Sequence, residues 1–545
     1  MPSISAQSVA ADPTSGDAAC FVAVADLDKL HQRGVLVVKH GAKQIALFSS
    51  NGQVYACNNR CPHEGYPLSE GSLSKGCLLT CNWHNWKFDL ESGETIVGGD
   101  ALRRYPVRVD GGKVWIDPTD PPAEARAAAA LDSLRGSFRR HEYDRMAREV
   151  ARLQKAERDP LDAVRAALWW THDRFEFGTT HAVAAAPDWL TLRTEIGGDD
   201  PVLGLAPVTE VLGHLAWDSL REPVYPFPKD SAAYDPDELF NAIEAEDETA
   251  AVAQVRGALG AGLTFADLEP ALARAALAHY ADFGHSAIYA HKTGELVEHL
   301  GPEAAEPLLL ALVRSLIYAS REDLIPEFRD YGRRLADWPT GAPSTATPPR
   351  AEDFVGLSVR GALERCLDFA GDPEALHGAL LGAAAWNLLH YDRGVEARND
   401  RPVQDNVGWL DFTHAITFGN AVRVLCQRQP ELWPQGLLQM ACFVGRNASY
   451  VDPELDVADW RVGEPQAFLD ATAARLLDHG VFEYIVACHL LKTFMAARSE
   501  LLAAPDAPWN DDLLAGINRF LNTPLKRKFT LRTARQSLDF VARED

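Results

Sequence analysis

The stretch that decides the fold is CPHEGYPLSEGSLSKGCLLTCNWH, residues 61–84 of a chain of 545 residues. It holds three cysteines and two histidines in a polar, glycine-rich run. Cys61-x-His63 is followed, after seventeen intervening residues, by Cys81-x-x-His84. This spacing offers two thiolates and two imidazoles from two adjacent loops, so it predicts a metal site.

Two kinds of metal centre could use this set of ligands. Structural zinc accepts two cysteines and two histidines, but its usual pairs are spaced by two or more residues, and Cys-x-His is too tight to chelate one tetrahedral ion comfortably. A two-iron cluster removes the difficulty, because each loop can give its cysteine to one iron and its histidine to the other. The spacing therefore favours the iron cluster.

The sequence around the two loops predicts a small antiparallel β domain over residues 20–118. From Phe21 to Asp117, short runs rich in β-branched and aromatic residues alternate with Gly, Asn and Asp turns. Asp110-Gly111-Gly112 lies between two such runs and indicates a hairpin. Residues 1–19 lack both a basic start and an apolar core, so we expect a disordered tail that is neither a signal peptide nor an anchor.

After residue 118 the sequence pattern changes. Residues 119–139 are rich in Pro, Ala and acidic side chains, which is typical of a linker. From residue 140 to residue 545 the apolar positions recur with the helical period, beginning with Tyr143, Met146, Val150 and Leu153 on one face. The predicted fold is therefore multidomain, with a small all-β domain followed by a large all-α domain.

Composition limits the possible partners and the compartment. A formal net charge of −24, with no dense basic block apart from residues 526–532, argues against nucleic acid or an anionic membrane as the main partner. No segment reaches a membrane-spanning length without charge. Four cysteines stand alone in apolar helical sequence, which is typical of buried thiols in a reducing compartment, so we expect a cytoplasmic protein. They are Cys366, Cys426, Cys442 and Cys488.

The segments CPHEGYPLSEG and CNWHNWKFDLESG closely resemble the two binding loops of Rieske [2Fe-2S] domains, and this resemblance covers residues 20–118. It implies that Cys61 and Cys81 bind one iron of the cluster, while His63 and His84 bind the other. The glycines let backbone N–H groups approach the sulfides, and such hydrogen bonds help to set the potential.

The same resemblance indicates which type of Rieske domain this is. High-potential Rieske proteins carry an additional disulfide between the loops, and its positions are held here by Tyr66 and Trp83. The resemblance therefore implies the ferredoxin and oxygenase type, which passes electrons at low potential to a partner site. Cys57 and Cys77 fall outside the motif, and we expect both to be ordinary thiols.

The helical half resembles a second family, the questin oxidase-like proteins, from about residue 140 to the end. The resemblance rests on the order and spacing of FEFGTTHAVAAA, HYADFGHSAIYAHKTGELVEHLG, GWLDFTHAITFGNAVRVL and ACHLLKTFMAARSEL. That family is associated with oxygenative cleavage of polycyclic quinone rings at an iron held by several histidines and a carboxylated lysine. Carried over, it implies the following metal ligands: His181, His285, His414, His489 and Lys492.

The residues around Lys492 support a ligand role without the family. His489 and Lys492 share one face of a helix with Phe482 and Val486. Because this helix is apolar all round, we expect it to be completely buried. Burial favours the neutral amine, which can add CO2 and become an anionic oxygen ligand. The alternative is a lysine that pairs with a nearby acid such as Glu483 or extends to the surface.

Any single inward-facing histidine can equally be a satisfied core residue, so the metal hypothesis depends on several of them converging. We expect Asp282 to orient a ligand histidine through its carboxylate. The reserve candidates, in apolar helical sequence, are His214, His377 and His390. The histidines beside polar residues, expected at the surface or behind the ligands, are His279, His291 and His299.

Together the two resemblances imply an oxygenase in which a Rieske cluster delivers electrons to a mononuclear Fe(II) that activates O2. The expected substrate is an aromatic or quinone-like small molecule. Gly257-Ala-Leu-Gly260-Ala-Gly262 does not have the order of a dinucleotide loop, and no strand is predicted before it. We therefore expect electrons from a separate NAD(P)H-dependent reductase or ferredoxin.

Two other interpretations are open at this stage. Asp282, His285 and His291 match the D-x-x-H-x5-H signature of ring-hydroxylating Rieske oxygenases, although that family builds its iron site on a β-sheet fold. The chain could instead be a non-catalytic Rieske electron carrier whose helical domain docks a partner.

Overall fold

The computed structural model describes residues 20–74, 76–198, 200–219, 222–341, 343 and 347–543. The chain separates into two compact units, Met1–Ser137 and Phe138–Asp545. Most of the predicted linker is a helix, Ala123–Arg139. The predicted boundaries at residues 118 and 139 stay a prediction, and the predicted tail over residues 1–19 lies outside the described residues.

All strands of the described residues lie in the first unit, where they form three antiparallel sheets with the orders β1-β11-β10, β2-β3-β4-β9 and β5-β6-β7-β8. They are β1 (Val22–Asp26), β2 (Val35–His40), β3 (Lys43–Ser50), β4 (Gln53–Asn58), β5 (Ser72–Ser74), β6 (Leu78–Thr80), β7 (Lys87–Asp89), β8 (Thr95–Val97), β9 (Arg104–Tyr105), β10 (Val107–Asp110) and β11 (Lys113–Ile116). One short helix, α1 (Leu27–Arg33), accompanies them.

Turn chemistry in this unit follows the sequence. Strands β10 and β11 pair with Asp110 opposite Lys113, so Gly111 and Gly112 form the predicted two-residue hairpin loop. Both glycines have positive φ, 56° and 73°, as a type I′ turn requires. The first cysteine-histidine loop follows β4, and the second joins β6 to β7.

The second unit is helical, as the sequence predicts. Its helices, with the one that leads into it, are α2 (Ala123–Arg139), α3 (Tyr143–Lys155), α4 (Leu161–Thr171), α5 (His181–Leu192), α6 (Pro201–Ser219), α7 (Pro236–Glu244), α8 (Glu248–Gly260), α9 (Phe265–Ala278), α10 (His285–Leu300), α11 (Ala305–Ile317), α12 (Asp330–Ala336), α13 (Val359–Leu367), α14 (Pro373–Leu389), α15 (Gly394–Ala397), α16 (Trp409–Arg428), α17 (Trp433–Asn447), α18 (Pro465–Leu476), α19 (Tyr484–Ala503), α20 (Asn510–Asn522) and α21 (Thr530–Val541). Among the described residues we find no helix with both the length and the apolar character needed to span a bilayer.

Four of these helices, α5, α10, α16 and α19, surround one another and run in the same direction. Their parallel course is visible in contacts between residues at matching depths. Lys292 lies seven residues after the start of α10, and Asp188 lies seven residues after the start of α5. The Lys292 amine is 2.8 Å from a carboxylate oxygen of Asp188. Further along α16 and α19, the Asn420 amide donates to Glu500 at 2.7 Å. The N-terminal ends of all four helices therefore meet at one end of the bundle.

Local sequence fixes where three of these helices begin. The hydroxyl of Thr180 accepts a hydrogen bond from the Ala182 backbone N–H at the start of α5. Gly284, in the left-handed conformation with a φ of 79°, precedes α10. The Asp411 carboxylate accepts from the Gly408 N–H at 2.9 Å and caps α16. These caps set the depth at which each candidate ligand lies.

The glycines at 257–262 serve helix packing. The Ala232 backbone N–H donates to the Ala253 carbonyl at 3.0 Å, which brings the chain onto α8. A methyl group at Gly257 would overlap the Ala232 carbonyl oxygen, whereas one at Gly260 would meet no atom within 4 Å. Close backbone approach therefore explains Gly257.

We expect Gly257→Ala to lower the free energy of unfolding by about 2 kcal/mol or more, because the added methyl overlaps fixed backbone. Gly260→Ala, in the same helix, should raise it by up to about 1 kcal/mol through helix propensity. Urea unfolding followed by far-ultraviolet circular dichroism measures both changes. Equal effects of the two substitutions would contradict the packing argument.

Candidate metal centres

The two cysteine-histidine loops share one backbone design. In the first, the Cys61 N–H donates to the Tyr66 carbonyl at 2.8 Å, and the Gly65 N–H donates to the Cys61 carbonyl at 2.8 Å. In the second, the Cys81 N–H donates to the Trp86 carbonyl at 2.7 Å, and the Asn85 N–H donates to the Cys81 carbonyl at 3.0 Å. The residue four positions after each cysteine is left-handed, with φ of 78° at Gly65 and 59° at Asn85.

This design brings the four predicted cluster ligands together. The thiols of Cys61 and Cys81 are buried, while His63 and His84 lie nearer the surface with their Nδ1 atoms 3.0 Å apart. Burial raises the pKa of Cys61 to about 11, so a cation is needed to hold it as a thiolate near neutral pH. Two buried thiols beside two convergent imidazoles fit the ligand set of a Rieske [2Fe-2S] cluster.

Cys57 and Cys77 lie in the core beneath the loops. The Cys77 thiol donates to the Tyr55 hydroxyl at 3.2 Å. Burial raises the pKa of Cys57 to about 12, which keeps it a neutral thiol. The Tyr66 and Trp83 rings, at the positions of the disulfide in high-potential proteins, meet edge to face with centroids 5.5 Å apart.

Trp86 supports one histidine directly. Its indole stacks on the His63 ring with centroids 4.6 Å apart and an interplanar angle of 15°. Gly98 lies against the indole, and a methyl group at this position would overlap the ring. The orientation of His63 therefore depends on a glycine that is 35 residues away in the sequence.

In the helical unit, the four predicted histidines meet where the N-termini of α5, α10, α16 and α19 converge. His285 Nε2 lies 3.1 Å from His181 Nε2 and 3.0 Å from His414 Nε2. The His489 ring centroid is 4.8 Å from that of His181 and 5.1 Å from that of His414. Nitrogen atoms of His181, His414 and His489 all lie within 4.8 Å of one another, close enough to share one ion.

Backbone carbonyls determine the tautomer of three of these rings. His285 Nδ1 lies 2.5 Å from the Asp282 carbonyl oxygen, His414 Nδ1 lies 2.6 Å from that of Leu410, and His489 Nδ1 lies 2.5 Å from that of Ile485. A carbonyl only accepts, so each Nδ1 must carry the hydrogen. The Nε2 atoms that face the centre therefore present lone pairs.

This geometry places two hydrogen-bond acceptors in repulsive contact. His285 Nε2 and His414 Nε2 face each other at 3.0 Å, and neither has a hydrogen to donate to the other. Burial lowers the pKa of His285 and lowers that of His414 well below the ordinary value, so protonation does not relieve the repulsion near neutral pH. A metal cation among the four Nε2 atoms does relieve it, and imidazole ligands suit divalent iron.

Lys492 lies near enough to these histidines for its charge to lower the pKa of His181, His414 and His489. It is 1% exposed, and among the described residues its Nζ and the His489 Nε2 are buried without a hydrogen-bond partner. Burial lowers the pKa of Lys492 and thus favours the neutral amine. Glu483 lies 3.6 Å from Arg527, so the pairing considered as an alternative is not what the structure shows.

The helix that carries Lys492 differs from the expectation in one respect. It begins at Tyr484, and Phe482, which was placed on its inner face, precedes it and is 83% exposed. Ile485 is 42% and Leu502 72% exposed, so burial on all sides is limited to the middle turns of α19.

The expectation for Asp282 was wrong in detail. The backbone carbonyl of Asp282 accepts from the His285 ring, whereas its carboxylate lies farther away, at 3.6 Å from Nδ1. His285 is the first residue of α10, so Asp282 precedes this helix.

The other histidines lie outside the cluster. His377 Nε2 pairs with the Gly419 carbonyl at 2.9 Å, His390 stacks on Trp386, and His214 stacks on Tyr484. His279 lies between Glu244 and Asp323, which raise its pKa to about 9. His299 Nε2 is 3.1 Å from the Thr191 hydroxyl.

The ring-hydroxylating alternative is not supported. His291 is buried beside Glu295, with 3.5 Å between Nε2 and the carboxylate, so the surface, one of the two positions expected for it, is excluded. The described residues of the second unit contain no strand, so the sheet on which that site is built is missing.

Sequence reasoning missed two residues that support His181. The Asp218 carboxyl lies beside Thr180 and Ala182, the two neighbours of His181 at the start of α5. The Tyr289 hydroxyl lies 3.4 Å from His181 Nδ1. Tyr289 follows His285 by four residues on α10 and could have been found from that spacing, whereas nothing in the sequence links Asp218 to α5.

Comparison with known proteins identifies the first unit. Residues 20–106 match the family model of the Rieske [2Fe-2S] domain. The ferredoxin component of an alkene monooxygenase system from Xanthobacter autotrophicus is 32% identical over 108 residues, which are 20% of this chain and 88% of that protein. The chain therefore belongs to the Rieske [2Fe-2S] family through its N-terminal domain, and this domain implies a [2Fe-2S] cluster.

Two further matches concern the same small share of the chain. The 4beta-methylsterol monooxygenase of Methylococcus capsulatus is 35% identical over 127 residues, which are 21% of this chain and 34% of that protein, so only about a third of that relative is spanned. The ferredoxin of carbazole 1,9a-dioxygenase from Nocardioides aromaticivorans is 25% identical, with a TM-score of 0.18, over 18% of this chain and 98% of that one. The relatives of the Rieske domain thus come from oxygenase systems.

We expect Gly98→Ala to displace the Trp86 indole, loosen His63 and lower the sulfide content and visible circular dichroism of the cluster. Gly112→Ala is the matched control, because it places a methyl group at another positive φ, where no atom lies within 4 Å. A cluster spectrum that responds equally to both substitutions would show that backbone strain, and not the Trp86 contact, is responsible.

Proposed function

We propose that the chain is an oxygenase in which the Rieske cluster supplies single electrons to a mononuclear iron in a questin oxidase-like helical domain. His181, His285, His414 and His489 hold the iron through Nε2, and Lys492 holds it as a carbamate. Iron bound there supplies the activation of O2 for hydroxylation or ring cleavage. The substrate is an aromatic or quinone-like small molecule.

The observation that carries the proposal is the pair of facing lone pairs on His285 and His414, 3.0 Å apart in a buried site. Core histidines in proteins normally find a donor or an acceptor for each nitrogen. Here each ring donates its only N–H, at Nδ1, to a backbone carbonyl, and the acceptor atoms Nε2 of the two rings face one another. Such an arrangement is favourable when a cation lies between them.

Lys492 supplies the anionic ligand in this proposal. Its neutral amine attacks CO2, the new N–C bond forms, and one proton leaves for solvent, which gives a carbamate with a negative charge. That charge offsets the iron cation in a bundle otherwise lined by neutral imidazoles. The absence of a hydrogen-bond partner for Nζ among the described residues leaves the amine free for this reaction.

The attached Rieske domain indicates what kind of oxidation the helical domain performs. A ring-cleaving dioxygenase that takes all four electrons for the reduction of O2 from its substrate needs no external electrons, so a fused electron relay favours monooxygenation or a centre that is reduced again between turnovers. Relatives of the domain include the ferredoxin component of a monooxygenase system. Electrons then enter from a separate NAD(P)H-dependent reductase or ferredoxin.

Metal analysis tests the proposal against a simple electron carrier. The oxygenase should contain about three irons for every two acid-labile sulfides, because the cluster contributes two of each and the helical site adds one iron. A carrier with a helical docking domain should contain equal numbers. The oxygenase proposal is wrong if protein purified without chelator and supplied with Fe(II) contains equal numbers of irons and acid-labile sulfides.

We expect Lys492→Met to remove the third iron while the cluster and its two sulfides remain. Methionine fills the space of the lysine stem without a buried amine, so the thermal midpoint should stay the same or rise. His377→Gln is the control, because it replaces a buried histidine outside the cluster with another N–H donor. Iron content unchanged by Lys492→Met would exclude this residue from the site.

A further inference from the structure

The segment that precedes α10 has an unusual backbone. Asp282, Phe283 and Gly284 have φ values of 50°, 49° and 79°, so three successive residues are left-handed. Asp282 and Phe283 are the one adjacent pair of non-glycine residues with positive φ in the part of the chain that the structure describes. L-residues avoid this conformation, so something in the surroundings must enforce it.

The left-handed turn orients the ring of His285, which no carbonyl of its own helix can orient. His414 and His489 each lie four residues after a carbonyl of their own helix, and that carbonyl orients the ring. His285 is the first residue of α10 and has no helical carbonyl before it. The left-handed turn places the Asp282 carbonyl 2.5 Å from His285 Nδ1 instead.

Glu322, in the 3-10 helix Glu322–Leu324, holds this turn from the outside. One carboxylate oxygen accepts the Phe283 backbone N–H at 3.3 Å, and the other accepts the Ser320 hydroxyl at 2.6 Å. The Asp282 N–H donates to the Ser320 carbonyl at 2.9 Å, and the Glu322 N–H donates to the Tyr280 carbonyl at 2.9 Å. The two segments are thus joined at Tyr280, at Asp282 and at Phe283.

Two further contacts restrict the same turn. A methyl group at Gly284 would overlap the Phe418 ring on α16, so the third residue must be glycine. Glu322 itself is buried, 6% exposed, and therefore cannot exchange its protein contacts for water without a larger rearrangement.

We propose that Glu322 is a positioning residue for the helical metal site. Its carboxylate keeps Asp282–Gly284 left-handed, and the Asp282 carbonyl then fixes the His285 ring with Nε2 toward the other three histidines. This inference rests on the proposed iron site and adds a residue that touches neither the metal nor its ligands.

The test compares three variants for Fe(II) affinity, measured by chelator competition in the full-length protein. Glu322→Ala should weaken affinity about 10- to 100-fold, as loss of the hydrogen-bonded groups behind metal ligands commonly does. Glu322→Gln keeps an oxygen for the Phe283 N–H and should stay within a few-fold of the parent. Asp323→Ala removes a neighbouring carboxylate that pairs with His279, and it should leave the affinity unchanged.

A second measurement separates this role from general damage to the loop. Hydrogen exchange of the metal-free protein should rise over residues 282–285 in Glu322→Ala and remain low in Glu322→Gln. The inference is overturned if Glu322→Ala retains full iron affinity, or if Asp323→Ala lowers the affinity as much. If the parent protein binds no third iron, the proposed function fails, and the exchange pattern alone decides whether Glu322 holds the turn.

Discussion

The helical unit depends on one constraint, which is that imidazole lone pairs converge at a buried point. His285 and His414 each donate their N–H to a backbone carbonyl and face one another through Nε2 at 3.0 Å. In an apolar bundle this contact is repulsive until a cation lies between the rings. The caps of the helices, the left-handed turn before α10 and the burial of Lys492 all serve to hold that arrangement.

The direction of the helices bears on the charge of the site. Because α5, α10, α16 and α19 run in parallel, their N-termini meet at the histidines and contribute partial positive charge there. A cation alone is disfavoured by this field, whereas an anionic group beside it is favoured. A carbamate on Lys492 would fit this environment better than an ammonium group, whose charge would add to that of the helix ends and the metal.

In the Rieske domain, loops and not helix ends position the ligands. Two short loops with the same hydrogen-bond pattern bury the cysteines and leave the histidines nearer the surface, and Trp86 fixes His63 from one side. The histidine edge is the part of such a site that a redox partner can approach. The Rieske site is thus built from two neighbouring loops of a β domain, whereas the histidine cluster is built from the ends of four helices.

The Rieske site could be predicted from sequence because its ligands lie within 24 residues and their spacing dictates the loops. Apolar periodicity also indicated the all-α fold and the burial of Lys492. Periodicity defines the face of a helix but not where the helix begins or what lies opposite, so it misplaced Phe482 and gave no sign of Glu322. His285 contacts His181, which is 104 residues earlier in the sequence, and His414, which is 129 residues later. Only the packing of the helices brings these histidines together.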